Sequence, residues 1–457
     1  MHKNLILILA KITIDKNPKI VWPRLKNSIG GHLMNGTVIC QSIFKNVREL
    51  VHNCMFLNAY SIGNAFTRIR KLTFLKVFFY LLHLSKKSMA IEMADFMENF
   101  SSVGFPNVSK QALSKARQGI SPEAFAELHR ISVQKFYEKC DDLHTWNGYL
   151  VLAIDGTSFQ LPQTQRNIET FGASVNQNSS PCAMASSSTL FDVIHDIIID
   201  ARMDSYNYGE RKFALGHLNE LECIGLKNDK LILMDRGYPS YEMFQELLRR
   251  KLAFAVRLNS TFSSITQRSG EDFIMDYKPR GYKEPVKLRI VRIVLDDGTV
   301  ETLATNLYGA EITLDMFRAL YFLRWGVESK YYEFKERIQL EEFSGSHPIA
   351  IRQDFYISVF LSNLVAILKS DVDSEIAEQD KETQNKYRYQ ANRSFLINRM
   401  NKYMIKILTG AVKAEETIQK IISAAIKVRS QKQPDRKYSR KKKQSRRKHH
   451  NNRKPCL

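Results

Sequence analysis

The sequence GYLVLAIDGTSFQ at residues 148–160 passes from apolar, β-forming residues into Asp155, so it predicts a buried strand with an aspartate at its end. The sequence KLILMD at residues 230–235 repeats this pattern and ends in Asp235. Either aspartate alone is more simply interpreted as the start of a turn, and Asp-Gly is a common turn pair. Because open α/β sheets place functional side chains at the carboxyl ends of their strands, the two aspartates together predict a site.

The segments around these two strands predict a mixed sheet. Their hydrophobic patterns indicate strands and helices in the order β-β-β-α-β-α-β, with the remaining elements at residues 183–191, 194–200, 209–222, 240–251 and 252–258. This is the order of an RNase H-like sheet, in which three antiparallel strands precede parallel strands joined through helices. The first and fourth strands of such a sheet are neighbours, so Asp155 and Asp235 would repel each other unless a divalent cation lies between them.

The chain is therefore expected to be an α/β protein with an RNase H-like mixed-sheet core and a helical region on either side. Alternating β-branched residues with Gly and Pro predict a β-rich insertion within the core, at about residues 260–310. The predicted divisions are an unassigned segment at 1–60, a helical region that binds DNA ends at 61–144, the core at 145–345, a helical C-terminal region and candidate dimerisation region at 346–426, and a basic tail with a composition typical of disorder at 427–457.

Positive charge is concentrated at the two ends of the 457-residue chain. The net charge is +21; residues 1–144 hold 20 basic and 10 acidic side chains, and residues 427–457 hold 14 basic and one acidic. Residues 145–426 are close to neutral, with 34 basic and 36 acidic side chains. Localised positive charge predicts a polyanionic partner, most simply nucleic acid, rather than a small-molecule substrate.

Cysteine and hydrophobic patterns favour a cytoplasmic protein. The six cysteines form no CxxC pair, which argues against a zinc site and against a disulfide framework. The apolar stretches at 72–84 and 355–368 are too short for a membrane span and predict buried helices, so no membrane partner is expected.

Residues 89–121 predict a helix-turn-helix that could bind DNA. The sequence MAIEMADFMENF precedes a Gly- and Pro-containing turn, and a second predicted helix follows with Lys110, Lys115 and Arg117. Helix pairs are common, and basic residues on a helix are often a solvated surface. These three residues are candidates for DNA contact.

A predicted long helix over 314–339 carries an unusual stripe. Tyr321, Arg324, Glu328 and Lys335 fall within an arc of roughly 60° at about 100° per residue, and Trp325 lies at its edge. An exposed salt bridge explains Arg324 and Glu328 as an i,i+4 pair. It does not explain the aromatic residues beside them.

These residues resemble the Y-(2)-R-(3)-E-(6)-K signature of a family of DDE insertion-sequence transposases, which the sequence YFLRWGVESKYYEFK matches from Tyr321 to Lys335. The sequences around Asp155 and Asp235 are also similar to that family. The resemblance implies that Asp155, Asp235 and Glu328 are catalytic and hold two Mg²⁺ ions, with Mn²⁺ as a substitute. It further implies that Tyr321, Arg324 and Lys335 contact DNA, and Trp325, although outside the signature, is a candidate for base stacking.

The same resemblance implies an activity and a setting. A transposase of this family binds the terminal inverted repeats of its element, cleaves the ends and joins them to target DNA by cut-and-paste transposition. Double-stranded transposon ends and target DNA are then the partners, a homodimer forms the synaptic complex, and the protein is expected in the bacterial cytoplasm with the nucleoid.

Two other functions stay open at the level of sequence. A transposase-derived repressor could bind the element ends without catalysis, although three acids that face DNA phosphates argue against a pure binding role. A nuclease on the same RNase H-like core could cut DNA without joining it.

Overall fold

The computed structural model describes residues 35–431, apart from residues 86, 176–179, 260–261, 263–264, 267, 296–297 and 384–386. Most of the unassigned segment at 1–60 and of the basic tail at 427–457 therefore lies outside the described residues.

A set of helices precedes the sheet. Their bounds are Gly36–Val51 (α1), Cys54–Ala59 (α2), Phe74–Leu82 (α3), Met89–Asn99 (α4), Lys110–Arg117 (α5) and Glu123–Lys139 (α6). In α1 the apolar residues Ile39, Ile43 and Val47 recur every four positions and are fully buried. The predicted helix-turn-helix corresponds to α4 and α5, which are separated by a 3₁₀ turn and by Gly104 in the left-handed conformation.

The central sheet follows. Its strands are Tyr149–Gln160 (β1), Ala173–Ser174 (β2), Cys182–Asp192 (β3), Ile197–Ser205 (β4), Asp229–Met234 (β5), Ala253–Arg257 (β6), Asp272–Tyr277 (β7), Val286–Val294 (β8) and Val300–Thr305 (β9). Three helices lie between them, Gln165–Phe171 (α7), Glu210–Ile224 (α8) and Tyr241–Arg249 (α9).

The pairing of the strands confirms the predicted RNase H-like core. β4 pairs with β3 and β3 with β1, both antiparallel, while β1 pairs with β5 and β5 with β6, both parallel. The spatial order is β4-β3-β1-β5-β6, with the short β2 on β3. The predicted β-rich insertion forms β7, β8 and β9, which extend this same sheet because β9 pairs with β6.

Both faces of the sheet are covered, and β1 shows how the sequence achieves this. Leu150, Leu152 and Ile154 belong to the cluster that includes α8 and α9, whereas Val151 and Ala153 belong to the larger cluster formed with the terminal helices. Successive strand residues point to opposite faces, so an unbroken apolar run suits a strand that is buried on both sides.

The helical segment after the sheet carries the signature. It consists of Leu314–Phe322 (α10), a 3₁₀ turn at Leu323–Trp325, Gly326–Tyr332 (α11) and a π-helical turn at Glu333–Arg337. The Thr313 side chain caps it by accepting a hydrogen bond from Met316 N–H. The predicted long helix is thus present as one helical segment with two local changes of winding.

Three C-terminal helices complete the described chain: Pro348–Glu382 (α12), Arg393–Leu408 (α13) and Ala414–Lys427 (α14), with a small two-stranded sheet of Tyr389–Gln390 (β10) and Ser430–Gln431 (β11). α12 packs against α6, α1, α13 and α14 and against strand β4, so the two terminal helical regions share one hydrophobic core. By length and composition Pro348–Lys381 could cross a membrane, but most of its apolar stretch is buried inside the protein, as in a core helix.

Candidate active site

The two predicted aspartates lie side by side, although β1 does not end at Asp155 as predicted but continues to Gln160. Ile154 of β1 pairs with Met234 of β5 in parallel register, and Asp155 and Asp235 are the next residues on the two strands. Asp155 follows Val151 and Ala153 at two-residue spacing, and Asp235 follows Leu231 and Leu233 in the same way, so both point to the face covered by α10 and α11. The predicted proximity of the two carboxylates is therefore present in the fold.

The guanidinium of Arg324 joins Asp155 to Glu328. Its Nη1 lies 3.3 Å from Asp155 Oδ2 and its Nη2 lies 3.2 Å from Glu328 Oε1. The Arg324 side chain is only 4% exposed, whereas those of Asp155 and Glu328 are 20% and 45% exposed. Nε of Arg324 is buried without a hydrogen-bond partner among the described residues. Asp155 and Glu328 thus share a buried cation that the protein itself supplies.

The surroundings of Asp155 disfavour its ionised form. Burial raises the pKa of Asp155 to about 6, although the N–H of Gly156 and the guanidinium of Arg324 lower it. Asp235 and Glu328 raise it further by repulsion. Even with Arg324 in place, a further cation would favour the ionised form of Asp155.

Asp235 has weaker protein contacts. Tyr321 Oη donates to Asp235 Oδ1 at 3.4 Å, and Nη1 of Arg257 lies 3.7 Å from the same oxygen. Arg257 lies closer to Glu301, at 2.9 Å. Asp235, at 31% side-chain exposure, keeps carboxylate surface open to solvent.

The donor set suits a hard divalent ion such as Mg²⁺, because carboxylate oxygens are its preferred protein ligands. Within the described ranges, no three Asp, Glu, His or Cys side chains are grouped closely enough to hold an ion directly. In this arrangement Arg324 takes oxygens of both Asp155 and Glu328. The chemistry and the charge of these residues therefore fit a metal ion. The Arg324 guanidinium already neutralises part of the negative charge that such an ion would neutralise.

Several buried groups fix the backbone at Asp155, and sequence reasoning missed them. The Tyr331 hydroxyl donates to the Asp155 carbonyl at 2.6 Å, and Ser188 Oγ donates to it at 2.9 Å. Ser188 in turn lies 3.0 Å from Nε2 of His217, whose Nδ1 is 2.8 Å from Asp200. Tyr331 follows Glu328 by three residues, so the helical spacing alone could have placed it on the same face.

Lys335, on the helical segment, contacts β1 beside the site. Its Nζ donates to Thr157 Oγ1 at 2.9 Å and to the Ser158 carbonyl at 2.8 Å. The predicted face of Tyr321, Arg324, Glu328 and Lys335 therefore does lie against the ends of β1 and β5.

The structure corrects the predicted role of Tyr321. Its side chain is buried, with 3% exposure, and its hydroxyl points to Asp235 and to the Met234 carbonyl, so its ring is not available for stacking on a DNA base. Arg324 is also buried, and a direct phosphate contact would require it to leave its carboxylate partners. Trp325, Phe322 and Tyr332 are the exposed aromatic residues that the structure describes on this helical segment, and the rings of Trp325 and Phe322 stack at 6.0 Å.

Arg117 is a second correction. It is 4% exposed, and its guanidinium binds Asp354 at 3.2 Å, Gln353 at 3.0 Å and Ser344 at 2.8 Å. This buried network attaches α5 to the start of α12, so Arg117 has a packing role and does not reach DNA. Lys110 and Lys115 are exposed on α5, and their DNA contact stays a prediction.

Comparison with known proteins adds a similarity for part of the chain. No curated protein matches the chain. Among solved structures, a piggyBac transposase synaptic complex with hairpin DNA is similar to this chain at 13% sequence identity and a TM-score of 0.44. The match covers 84% of this chain and 85% of the transposase chain. A similarity at this level supports no argument about function. Residues 146–364, which contain all three carboxylates and Arg324, match the family model of the transposase DDE domain, and this part of the chain is therefore similar to that domain.

Proposed function

We propose that the protein is a transposase that binds the terminal inverted repeats of an insertion sequence, cleaves the DNA ends and joins them to target DNA by Mg²⁺-dependent phosphoryl transfer. One observation carries this proposal: Asp155 of β1 and Glu328 of α11 share the guanidinium of Arg324, and Asp235 directly follows β5, the strand that pairs with β1 in an RNase H-like sheet. The match of residues 146–364 to the transposase DDE domain supports it.

Asp155, Asp235 and Glu328 are the residues that would hold two Mg²⁺ ions, for which Mn²⁺ could substitute. When bound, such ions lower the pKa of a coordinated water and neutralise charge that develops on a transferred phosphoryl group. The protein supplies the remaining features. Tyr331 and Ser188 fix the backbone that carries Asp155, and Arg324 keeps Asp155 and Glu328 together.

The surface next to the carboxylates suits DNA. Lys335 brings a cation to the edge of β1, close to where a scissile phosphate would lie. Trp325 is 48% exposed and presents an aromatic face three residues before Glu328, so it is the best candidate for stacking on an unpaired base. Lys110 and Lys115 on α5 are proposed to contact the DNA backbone. With DNA as its substrate, the protein is proposed to act in the bacterial cytoplasm with the nucleoid.

The test uses conservative substitutions and DNA that carries the element's end. Asp155→Asn, Asp235→Asn and Glu328→Gln should each abolish Mg²⁺-dependent strand cleavage while binding of the end persists. Asp315→Asn is the matched control, because Asp315 is an exposed acid on the same helical segment, away from the site. Cleavage by any one of the three at a tenth of the wild-type rate would remove that residue from the site.

The products separate the proposed function from its two alternatives. A transposase joins the cleaved 3′ ends to a target plasmid, whereas a nuclease leaves only cut ends. A non-catalytic end-binding protein would bind the DNA and leave it intact with Mg²⁺ or Mn²⁺.

A further inference from the structure

A cleft of about 320 Å³ lies between α5, the start of α7 and the loop before α12. Ser114 and Arg117 of α5, Arg166 of α7, and Ser346 and His347 of the loop are among the residues that line it. Of the residues that the structure describes, no Asp or Glu takes part in the lining. A cleft that offers hydrogen-bond donors and cations without a carboxylate suits an anion.

The walls of the cleft are held in place by buried hydrogen bonds. Asn167 is fully buried, and its Nδ2 donates to the Pro162 carbonyl at 2.8 Å and to the Ser346 carbonyl at 3.0 Å. Arg117 connects α5 to the same loop through Ser344, at 2.8 Å. The cleft is therefore preformed by the N-terminal helices and the catalytic core together, and its binding groups need little reordering.

The groups that face the cleft are available to a ligand. Nδ1 of His347 accepts a hydrogen bond from Ile349 N–H at 3.3 Å, so the neutral imidazole carries its proton on Nε2 and can donate it. Burial lowers the pKa of His347, and Arg166 and Arg117 lower it further, which shows a positive potential at the ring. Arg166 is exposed and forms no ion pair with any residue in the described part of the chain.

The position of the cleft relative to the carboxylates suggests the ligand. β1 ends at Gln160, five residues beyond Asp155, and the chain then leads to Thr164 at the cleft. Nine residues from Asp155 to Thr164 span at most about 30 Å, which is less than one turn of B-DNA at about 34 Å. Lys110, one helical turn before Ser114, extends the same basic surface along α5.

We infer that this cleft binds the phosphate backbone of duplex DNA within the first turn from the end held at the carboxylates. The inference rests on the proposed function for its ligand and adds a specific site, shared by the N-terminal helices and the core. Arg166 and Nε2–H of His347 contact the phosphate oxygens, while Arg117, which is already paired, forms the floor.

The experiment measures how the affinity of the full-length protein for a duplex of about 30 base pairs depends on salt. Wild type, Arg166→Ala, Arg166→Lys and the control Lys227→Ala are compared. Lys227 is exposed and precedes β5, so it lies at the opposite edge of the sheet from Asp235. Loss of one phosphate contact should reduce the slope of log affinity against log salt by about 0.9 in Arg166→Ala. Arg166→Lys and Lys227→Ala should keep the wild-type slope.

Equal slopes for Arg166→Ala and Lys227→Ala would overturn the inference. Inorganic phosphate that binds the wild type but not Arg166→Ala, with equal DNA slopes, would assign the cleft to a free anion instead. The proposed function fails separately, if the wild type binds the duplex but neither cuts nor joins it with Mg²⁺.

Discussion

At the scale of single residues, Arg324 is the buried cation on which the carboxylates depend. Its removal leaves Asp155 mostly buried near two other acids, so Arg324→Ala should abolish cleavage and lower the free energy of unfolding by about 3 kcal/mol. The measurement is denaturant unfolding together with cleavage of an end-bearing duplex.

A double-mutant cycle is the control for Arg324. In an Asp155→Asn background, position 155 carries no charge and needs no counterion. Arg324→Ala should therefore lower the free energy of unfolding by at least about 1 kcal/mol less than it does in the wild type. Strictly additive effects would show that the contact between Arg324 and Asp155 contributes nothing to stability.

Tyr321 and Trp325 should behave in opposite ways. Tyr321 is buried, so Tyr321→Ala should lower the free energy of unfolding by about 3–5 kcal/mol through the cavity it leaves. Trp325→Ala removes a half-exposed ring and its stacking on Phe322, so it should lower stability by only about 1 kcal/mol. If Trp325 stacks on an unpaired base, its loss should cost the later steps about 1–3 kcal/mol and spare first-strand nicking. Equal slowing of every step would contradict that role.

The contrast between these residues shows what sequence spacing can and cannot predict. Two apolar strand sequences that each lead into an aspartate are sufficient to predict that Asp155 and Asp235 meet, although β1 continues to Gln160. Helical spacing predicts that Tyr321 and Arg324 share a face. It does not predict that β1 and β5 cover that face, because burial depends on the docking angle of the helix on the sheet.

At the scale of elements, the helical segment from Leu314 to Arg337 changes its winding twice, with a 3₁₀ turn before Glu328 and a π-helical turn around Lys335. An assumed 100° per residue therefore holds only locally. The contacts to β1 and β5 still occur, because the tighter 3₁₀ turn and the wider π-helical turn rotate the following side chains around the helix axis in opposite directions. Single-residue patterns carry no signal for either change, which arises where the helix packs on the sheet.

α1 depends on an acid from another helix. Asp371 of α12 accepts hydrogen bonds from Gly36 N–H at 3.0 Å and Thr37 N–H at 3.2 Å, and so caps the start of α1. A Cβ on Gly36 would lie 2.7 Å from this carboxylate, so the close approach requires glycine. This cap was not predictable, because its two partners lie more than three hundred positions apart in the sequence.

The cap at Asp371 should make stability depend on pH. Burial raises the pKa of Asp371 to about 7, despite the N–H groups that lower it. The unfolded carboxyl titrates near about 3.9, so between these values the folded state binds more protons and stability falls as pH rises. Relative to wild type, Asp371→Asn should therefore gain up to about 3 kcal/mol of unfolding free energy between about pH 4 and pH 7.

Urea unfolding at several pH values measures this difference. Glu378→Gln, which changes an exposed acid on the same helix, should follow the wild type. A constant difference between Asp371→Asn and wild type across the window would show that Asp371 titrates at its ordinary pKa.

At the scale of the whole molecule, the C-terminal region meets the helical segment that carries Glu328. Lys330 of α11 lies 2.9 Å from Asp196 and 3.4 Å from Glu333, and Arg393 of α13 forms ion pairs with both acids. Ser362 of α12 donates to Glu333 at 2.6 Å. The C-terminal region is thereby joined to the helix that carries Glu328. Division of the chain by composition predicted separate helical regions, and only long-range packing reveals this connection.

The basic tail should strengthen binding without directing it. Residues 427–457 add 14 basic side chains and one acid. For each phosphate that such side chains neutralise, the logarithm of the affinity falls by about 0.9 when the salt concentration rises tenfold. Deletion of the tail should flatten the salt dependence and leave the preference for the element's ends intact. Binding to end and random duplexes over a salt series measures both quantities. Loss of end preference would assign recognition to the tail rather than to α4 and α5.

Complementation between two defective proteins tests the expected homodimer. We predict that each active site works on the DNA end bound by its partner, an arrangement that the resemblance to the transposase family implies. Glu328→Gln keeps the DNA contacts and loses the site, whereas a protein with Lys110→Ala and Lys115→Ala keeps the site and loses contacts. In a mixed dimer the intact site then faces the correctly bound end. Equal amounts of the two should restore up to about a quarter of wild-type cleavage, because half of randomly formed dimers are mixed and each has one productive pairing.

If each site instead cuts the end held by its own chain, every chain in the mixture has one defect on the path to cleavage. The mixture would then cut no better than the two proteins measured separately and added. A mixture of Glu328→Gln with Asp155→Asn is the control, because both lose the same site and neither arrangement allows rescue. Full cleavage by a wild-type complex that remains monomeric in sedimentation would exclude both the dimer and the action of one chain on the other's DNA.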